Sequence, residues 1–169
     1  MLTLKEVQKS ELPQIRDLAL RIWPNTFGEI LSPQQIEYML EMMYSIDTLN
    51  AQWEKGHVFL VAELEGEALG FIAFEHNYQT QAKAKIHKIY LLPESQGKGV
   101  GRTLIEAVAE RAIQKGEMLL SLNVNRFNKA TRFYEKVGFS IVGEENIDIG
   151  QGFLMEDYIM EKPLSRTDV

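Results

Sequence analysis

The sequence predicts an α/β (α+β) domain of about seven strands and about four helices. Three observations carry this. An apolar run of β-formers at 84–92 stops at Pro93, and a glycine-rich turn then opens a helical pattern near Val100. Two further pairs of strand-like runs are joined by short turns, one at Glu65-Gly66-Glu67 and one at Gly150-Gln151-Gly152. The N-terminal third carries instead the three-to-four-residue apolar spacing of amphipathic helices.

Residues 3–7 read as a short first strand. From Ser10, the apolar residues Leu12, Ile15, Leu18, Ala19 and Ile22 fall on one helical face. Pro24 is expected to end that helix and leave 23–30 as a loop. Ser32 and Pro33 supply an N-cap and a first-turn proline for a second helix carrying Ile36, Tyr38, Met39, Leu40, Met42 and Met43. Residues 53–56 close this region. Runs at 57–63 and 68–75 form the first hairpin, and the polar stretch 78–83 is a turn before the strand at 84–92. Beyond Val100, Leu104, Val108 and Ala112 recur every fourth residue beside Ile105 and Ile113, so one helix face can bury against a sheet, and Gly116 stops it. A strand at 118–124, a helix at 128–137 and a closing hairpin of 139–149 with 153–160 complete a single domain, 1–163, followed by a flexible tail at 164–169.

A chain of 169 residues, 45% hydrophobic and 25% charged, fits one soluble globular domain. No apolar run reaches membrane-span length and the first twenty residues lack a signal-peptide stretch, so a cytoplasmic location and no membrane partner are expected. Absence of cysteine excludes disulfides, thiolate metal ligands and a cysteine nucleophile, and no metal is expected. The net charge of −6 is unevenly divided: residues 81–136 hold 11 Lys/Arg against 5 Asp/Glu, and the remainder 7 against 19. A polyphosphate ligand would be drawn to the basic half, while the acidic remainder suits a cationic substrate or simply solubility. The basic residues accompany a compact loop, with no long stripe or tail, which argues against nucleic-acid binding.

Gly97, Gly99 and Gly101 leave backbone N–H groups uncovered just ahead of a helix N-terminus, whose free donors and positive dipole end stabilise anions. A Walker loop needs four residues between its first glycine and its Gly-Lys pair; here Gly97 and Gly101 have three between them, and Arg102 stands where lysine would be. The dinucleotide pattern G-x-G-x-x-G is absent because the glycines alternate strictly. The pattern that fits is Q-x-x-G-x-G, from Gln96 through Gly99 to Gly101. It resembles the pyrophosphate loop of the GCN5-related N-acetyltransferase (GNAT) family, which binds acetyl-CoA. Downstream, 128–139 reads NKATRFYEKVGF, and Asn128, Ala130, Phe133, Tyr134, Gly138 and Phe139 match that family's N-x-A-x-x-F-Y-x-x-x-G-F segment in the right order and separation.

The resemblance extends over nearly the whole chain and implies a mixed, mostly antiparallel sheet. In that fold the strand before the phosphate loop and the next strand splay apart to admit the pantetheine arm. Cofactor contacts are thereby expected at Leu91 and Leu92, and for the pyrophosphate at Gln96, Gly97, Lys98, Gly99, Val100 and Gly101. Gln96 stands where arginine is often found in the family. Lys98 and Arg102 either add charge at the phosphates or are solvated cations at a helix start.

Acyl transfer from a thioester to an amine needs a neutral nucleophile, oxyanion stabilisation and a proton for the leaving thiolate. Tyr134 matches the family's general acid, and a phenol with an ordinary pKa near 10 is protonated at neutral pH. The competing reading is a core aromatic beside Phe133. Asn128 matches a residue that holds the cofactor or an ordered water, or it caps a helix. Lys85 and His87 occupy the two same-face positions where many relatives place a glutamate base. His87 can accept the amine's proton directly or through water, or it is a structural histidine, with Glu75 and His76 as alternatives.

In this fold the first two helices and their loop usually wall the acceptor pocket, which makes Trp23, Thr26, Phe27, Tyr38 and Tyr44 substrate candidates together with Glu75. Core packing is the alternative for the aromatics. The stretch TFGEILSPQQIEYML looks most similar to bacterial polyamine acetyltransferases of the PaiA type. A primary amine is therefore the expected acceptor, spermidine or spermine first, with small amino compounds, amino acids and protein N-termini also open. A catalytically inactive CoA-binding sensor or partner protein and a nucleotide-phosphate enzyme are the other readings. Monomer and homodimer are equally compatible with the closing hairpin's edge.

Overall fold

The computed structural model describes residues 1–165 of the chain. Strands β1 (Leu2–Glu6), β2 (Val58–Leu64), β3 (Glu67–Glu75), β4 (Lys83–Leu91), β5 (Leu119–Asn125), β6 (Ser140–Gly150) and β7 (Phe153–Pro163) form one sheet in the order β1-β2-β3-β4-β5-β7-β6. β4 and β5 pair parallel and the other neighbours antiparallel. A parallel pair needs a crossover, and α4 (Val100–Gln114) supplies it. With α5 (Ala130–Lys136) it covers the sheet face formed by Leu60, Ala62, Ile72, Phe74, Ala84 and Ile86. On the opposite face, α1 (Leu12–Phe27), α2 (Pro33–Tyr44) and α3 (Ile46–Lys55) pack against Phe59, Val61, Phe71 and Ala73.

Pro24 does not end α1, which runs on to Phe27. The proline lies near the helix end, where its missing N–H deprives only the Leu20 carbonyl of a partner, and Leu20 is exposed enough for water to replace it. Trp23 and Phe27, both buried, hold the extra turn in place. α3 has no counterpart among the elements expected from the sequence. Its signals are polar ones: Ser45 Oγ accepts the Thr48 N–H at 3.2 Å, Asp47 sits in the first turn and Gly56 ends the helix. Its apolar stripe is thin, Ile46, Leu49 and Trp53 with only Leu49 buried, so the spacing that marks the longer helices is carried here by three residues. Ser32 caps α2 as expected, its Oγ accepting the Gln35 N–H at 3.1 Å. At the C-terminus, Leu164 is not frayed: its N–H donates to the Met118 carbonyl at 2.8 Å and its side chain packs on the core. The rest of the expected tail, 166–169, lies outside the described residues.

Strand β4 is irregular in two places. Its register against β3 jumps from Ala73/Lys88 to Phe74/Ile86, leaving His87 as the extra residue of a β-bulge. Its pairing with β5 runs from Lys83/Leu119 to Ile86/Leu122 and stops, although β4 continues to Leu91 and β5 to Asn125. Beyond that point the two strands part.

Candidate active site

The gap between β4 and β5 opens into a cleft of about 1140 Å³ that extends from the glycine loop to α1 and α2. Strand alternation determines what β4 offers to it. The Leu92 N–H donates to the Leu69 carbonyl at 2.9 Å, so the backbone of Tyr90 also faces β3, while Ile89 and Leu91 turn their peptide groups toward the gap where β5 has left. Unpaired backbone groups of this kind need a partner, and an amide-bearing arm laid along the strand provides one. Leu91 thus stands where a cofactor contact was expected. Leu92 does not: its amide is used by β3 and its side chain is buried among the α1–α3 contacts.

At the far end of the cleft, Gly97 (φ 80) and Gly99 (φ 76) take the left-handed conformation that lets consecutive N–H groups turn inward ahead of α4. Gln96, Gly97, Gly99, Val100, Gly101 and Arg102 line the cleft, whereas Lys98 does not. Gly101 passes close to α5, where a Cβ would stand 3.0 Å from Phe133 Cζ. Loop, Leu91 and Phe133 are therefore packed as one unit.

Tyr134 lines the same cleft and is otherwise enclosed, with Phe133 and Phe139 ring centroids at 5.5 and 5.9 Å. Burial pushes its phenol well above the ordinary 10, so the hydroxyl is protonated, and it has no hydrogen-bond partner among the described residues. Asn128 also lines the cleft, but its Oδ1 accepts the Ala130 N–H at 2.9 Å, the local capping role that was the alternative to cofactor binding.

His87 reaches the cleft from the bulge, while its Nε2 lies 3.0 Å from Glu75 Oε1. The same oxygen is 3.2 Å from Nε2 of His57. Burial first, with Lys88 and His57 adding to it, pushes His87 from 6.5 to about 4. These three side chains bring ligand atoms within 4.8 Å of one another. The two imidazoles are parallel, however, so their lone pairs run side by side, and Lys55 and Lys88 bring positive charge against a cation there. The arrangement is a hydrogen-bonded pair of histidines on one carboxylate. His76 is engaged elsewhere, 2.6 Å from Glu117 Oε1, and Lys85 Nζ contacts Asn123 Oδ1.

Of the acceptor-side candidates, Trp23, Thr26 and Phe27 line the cleft. Tyr44 does not; it is fully buried under Trp23 and Phe71. Tyr38 donates its hydroxyl to the Ile149 carbonyl at 2.5 Å and packs on Phe153, so it ties the β6–β7 hairpin to α2. Glu75 does not line the cleft and is joined to it by His87. The sequence reading missed Tyr90, Asn123, Met155 and Asp157, which the sheet register brings to the cleft without any motif to announce them.

A splayed parallel pair with a glycine loop at one end and a protonated tyrosine inside is the arrangement that the resemblance implies for an enzyme taking an acyl group from a CoA thioester. The sequence model of the Acetyltransferase (GNAT) family matches residues 12–139. The chain belongs to this family of acetyl-CoA-dependent N-acetyltransferases. It is 28% identical to the spermidine N(1)-acetyltransferase of Thermoplasma acidophilum over 90% of this chain and 94% of that one. An uncharacterized N-acetyltransferase of Archaeoglobus fulgidus is 38% identical over 44% of this chain and 54% of its own length. Among solved structures, the PaiA N-acetyltransferase from Thermoplasma acidophilum in complex with coenzyme A superposes with a TM-score of 0.80 at 27% identity, over 96% of this chain and 99% of that one. The fold class expected from the sequence is thus the one observed, with five helices in place of about four.

Proposed function

We propose that the cleft transfers the acetyl group of acetyl-CoA to a primary amine by direct attack in a ternary complex, and that the amine is a polyamine such as spermidine. The observation that carries this reading is the Tyr134 hydroxyl, protonated and without a protein partner, beside the open edge of β4. The free peptide groups of Ile89 and Leu91 hold the donor's amide arm, and the N–H groups of residues 96–101 receive its phosphates. The acceptor enters between α1 and α2, past Trp23, Phe27 and Met39. Its nitrogen attacks the thioester carbon, a C–N bond forms, the C–S bond breaks, and Tyr134 donates its proton to the leaving sulfur.

His87 is neutral in this scheme. Its Nε2–H donates to Glu75, so the ring is occupied and offers an incoming ammonium no negative charge. Polyamine specificity is supported by the similarity to spermidine N(1)-acetyltransferase along most of the chain and by Glu29 and Asp157 on the cleft wall.

Thiol release from acetyl-CoA, followed with a panel of primary amines that includes spermidine, tests the reading. Wild type is expected to turn over in an amine-dependent manner, and Tyr134→Phe to lose about 100-fold in kcat with CoA affinity unchanged. A fully active Tyr134→Phe would remove the tyrosine from the chemistry. A panel dominated by an amino acid or a short monoamine would replace the polyamine.

A further inference from the structure

One carboxylate in the cleft has no part in the acetyl-transfer steps. Asp157 lies on β7 opposite Asn125, where β5 ends, and is 4% exposed. Its Oδ2 accepts from Asn123 Nδ2 at 3.3 Å, while Oδ1 has no hydrogen-bond partner among the described residues. The nearby cations are directed elsewhere: Lys85 contacts Asn123 Oδ1, and Arg126 contacts Glu144 and Asn146. The Lys85 contact also fixes the amide's orientation. With its oxygen on the ammonium, the Asn123 NH₂ group must face Asp157 and Glu145, the latter at 2.9 Å.

A carboxylate buried without a cation is expensive to keep, and burial raises its pKa above the ordinary 3.8. Asn123 opposes that rise through its hydrogen bond, Glu145 from β6 adds to it, and Lys85 from β4 and Arg126 after β5 oppose it. Across the gap, the Tyr90 phenol is pushed up by burial and then by both Tyr134 and Asp157. Tyr134 and Asp157 therefore act on a common small volume where β4 and β5 part.

We propose that Asp157 is the carboxylate that receives the acceptor's ammonium group and takes its proton, with Asn123 and Lys85 as positioning residues that hold it toward the cleft. This rests on the acetyl-transfer reading. R–NH₃⁺ gives one proton to Asp157 and becomes R–NH₂. That nitrogen forms the C–N bond as the C–S bond breaks, and the sulfur takes the Tyr134 proton. The second proton lost by nitrogen restores the Tyr134 hydroxyl, and the proton on Asp157 leaves to solvent with the product.

The test compares wild type, Asp157→Asn and Asn123→Ala with the most active amine of the panel. For Asp157→Asn, kcat/KM is expected to fall about 100-fold or more at pH 7, with CoA affinity within threefold and a melting temperature no lower than wild type. The variant should regain about tenfold per pH unit between 7 and 9, because the free amine then arrives already neutral. Asn123→Ala is expected to lose about tenfold and to shift the acid limb of the kcat/KM profile, which a merely structural role would leave in place. An Asp157→Asn enzyme within threefold of wild type, or one whose loss is the same at every pH and accompanies a lower melting temperature, overturns the proposal while leaving acetyl transfer standing. A wild type that releases no thiol with any amine overturns both.

Discussion

The imidazole rings of His57 and His87 lie parallel, 4.3 Å between centroids and 6° apart in tilt, with both Nε2 atoms on one oxygen of Glu75. One ring comes from the residue before β2 and the other from the bulge of β4, and the carboxylate ends β3. Three strands are clamped at one point. Two charged imidazoles at this separation would repel, and burial leads in holding both pKa values below 6.5.

That clamp predicts an acid-side loss of stability. The unfolded histidines bind protons below pH 6.5, while folded His87 refuses its proton down to about 4. The stabilisation is complete above 6.5 and is lost as the pH falls from 6.5 to 4, by on the order of 3 kcal/mol. Urea unfolding across this window should show the decline, and His87→Gln should flatten it. A wild-type curve level from about pH 7 to 4.5 would mean that the stacked rings carry no linked proton.

Gly70 faces the other irregular stretch of β4. A Cβ there would sit 2.7 Å from the Tyr90 carbonyl oxygen and 2.6 Å from Leu91 Cδ2. The oxygen is backbone and cannot rotate away, so Gly70→Ala is expected to cost about 1–3 kcal/mol. Because the displaced segment is the open edge of β4, CoA affinity should fall as well. Thermal melts and CoA titration read the two effects, and a variant unchanged in both would contradict this close approach.

Lys88 is buried on the α3 side, its Nζ 2.9 Å from Gln52 Oε1 and 5.3 Å from the Tyr44 ring centre. Burial pushes its pKa from 10.5 to about 8, so keeping the ammonium at pH 7 costs stability. Lys88→Met should raise stability by about 1–2 kcal/mol at pH 7, and the wild type should gain stability between pH 8 and 10.5. A lower melting point for the methionine variant would show that Gln52 and Tyr44 compensate the buried charge in full.

The parts of the site legible in the sequence are those where chemistry demands particular residue types at fixed spacing. Gln96, Gly97, Gly99 and Gly101 line the cleft just ahead of and at the start of α4, and Tyr134 sits one residue from the Phe133 that packs against Gly101. Asp157 shares its place with Tyr90 and Tyr134 only through the pairing of β7 with β5, which no local pattern encodes. His87 illustrates a further limit: alternation assigns it a face, and a bulge then re-aims it toward Glu75. In sequence, Tyr38, Tyr44 and Trp23 are alike as aromatics of the first two helices and their loop. Their separation into a hairpin tie, a core residue and a cleft wall depends on helix rotation that composition does not reveal.

The parting of β4 from β5 has a mechanical consequence. The half-sheets β1-β2-β3-β4 and β5-β7-β6 are stitched by a seam that runs only from Lys83/Leu119 to Ile86/Leu122. An amide-bearing donor laid along Ile89 and Leu91 would finish that seam, and loading the enzyme would then also be the last step of building its sheet. A chain whose β5 stayed beside β4 as far as Leu91 would be the sturdier protein, and it would have nowhere to hold a thioester.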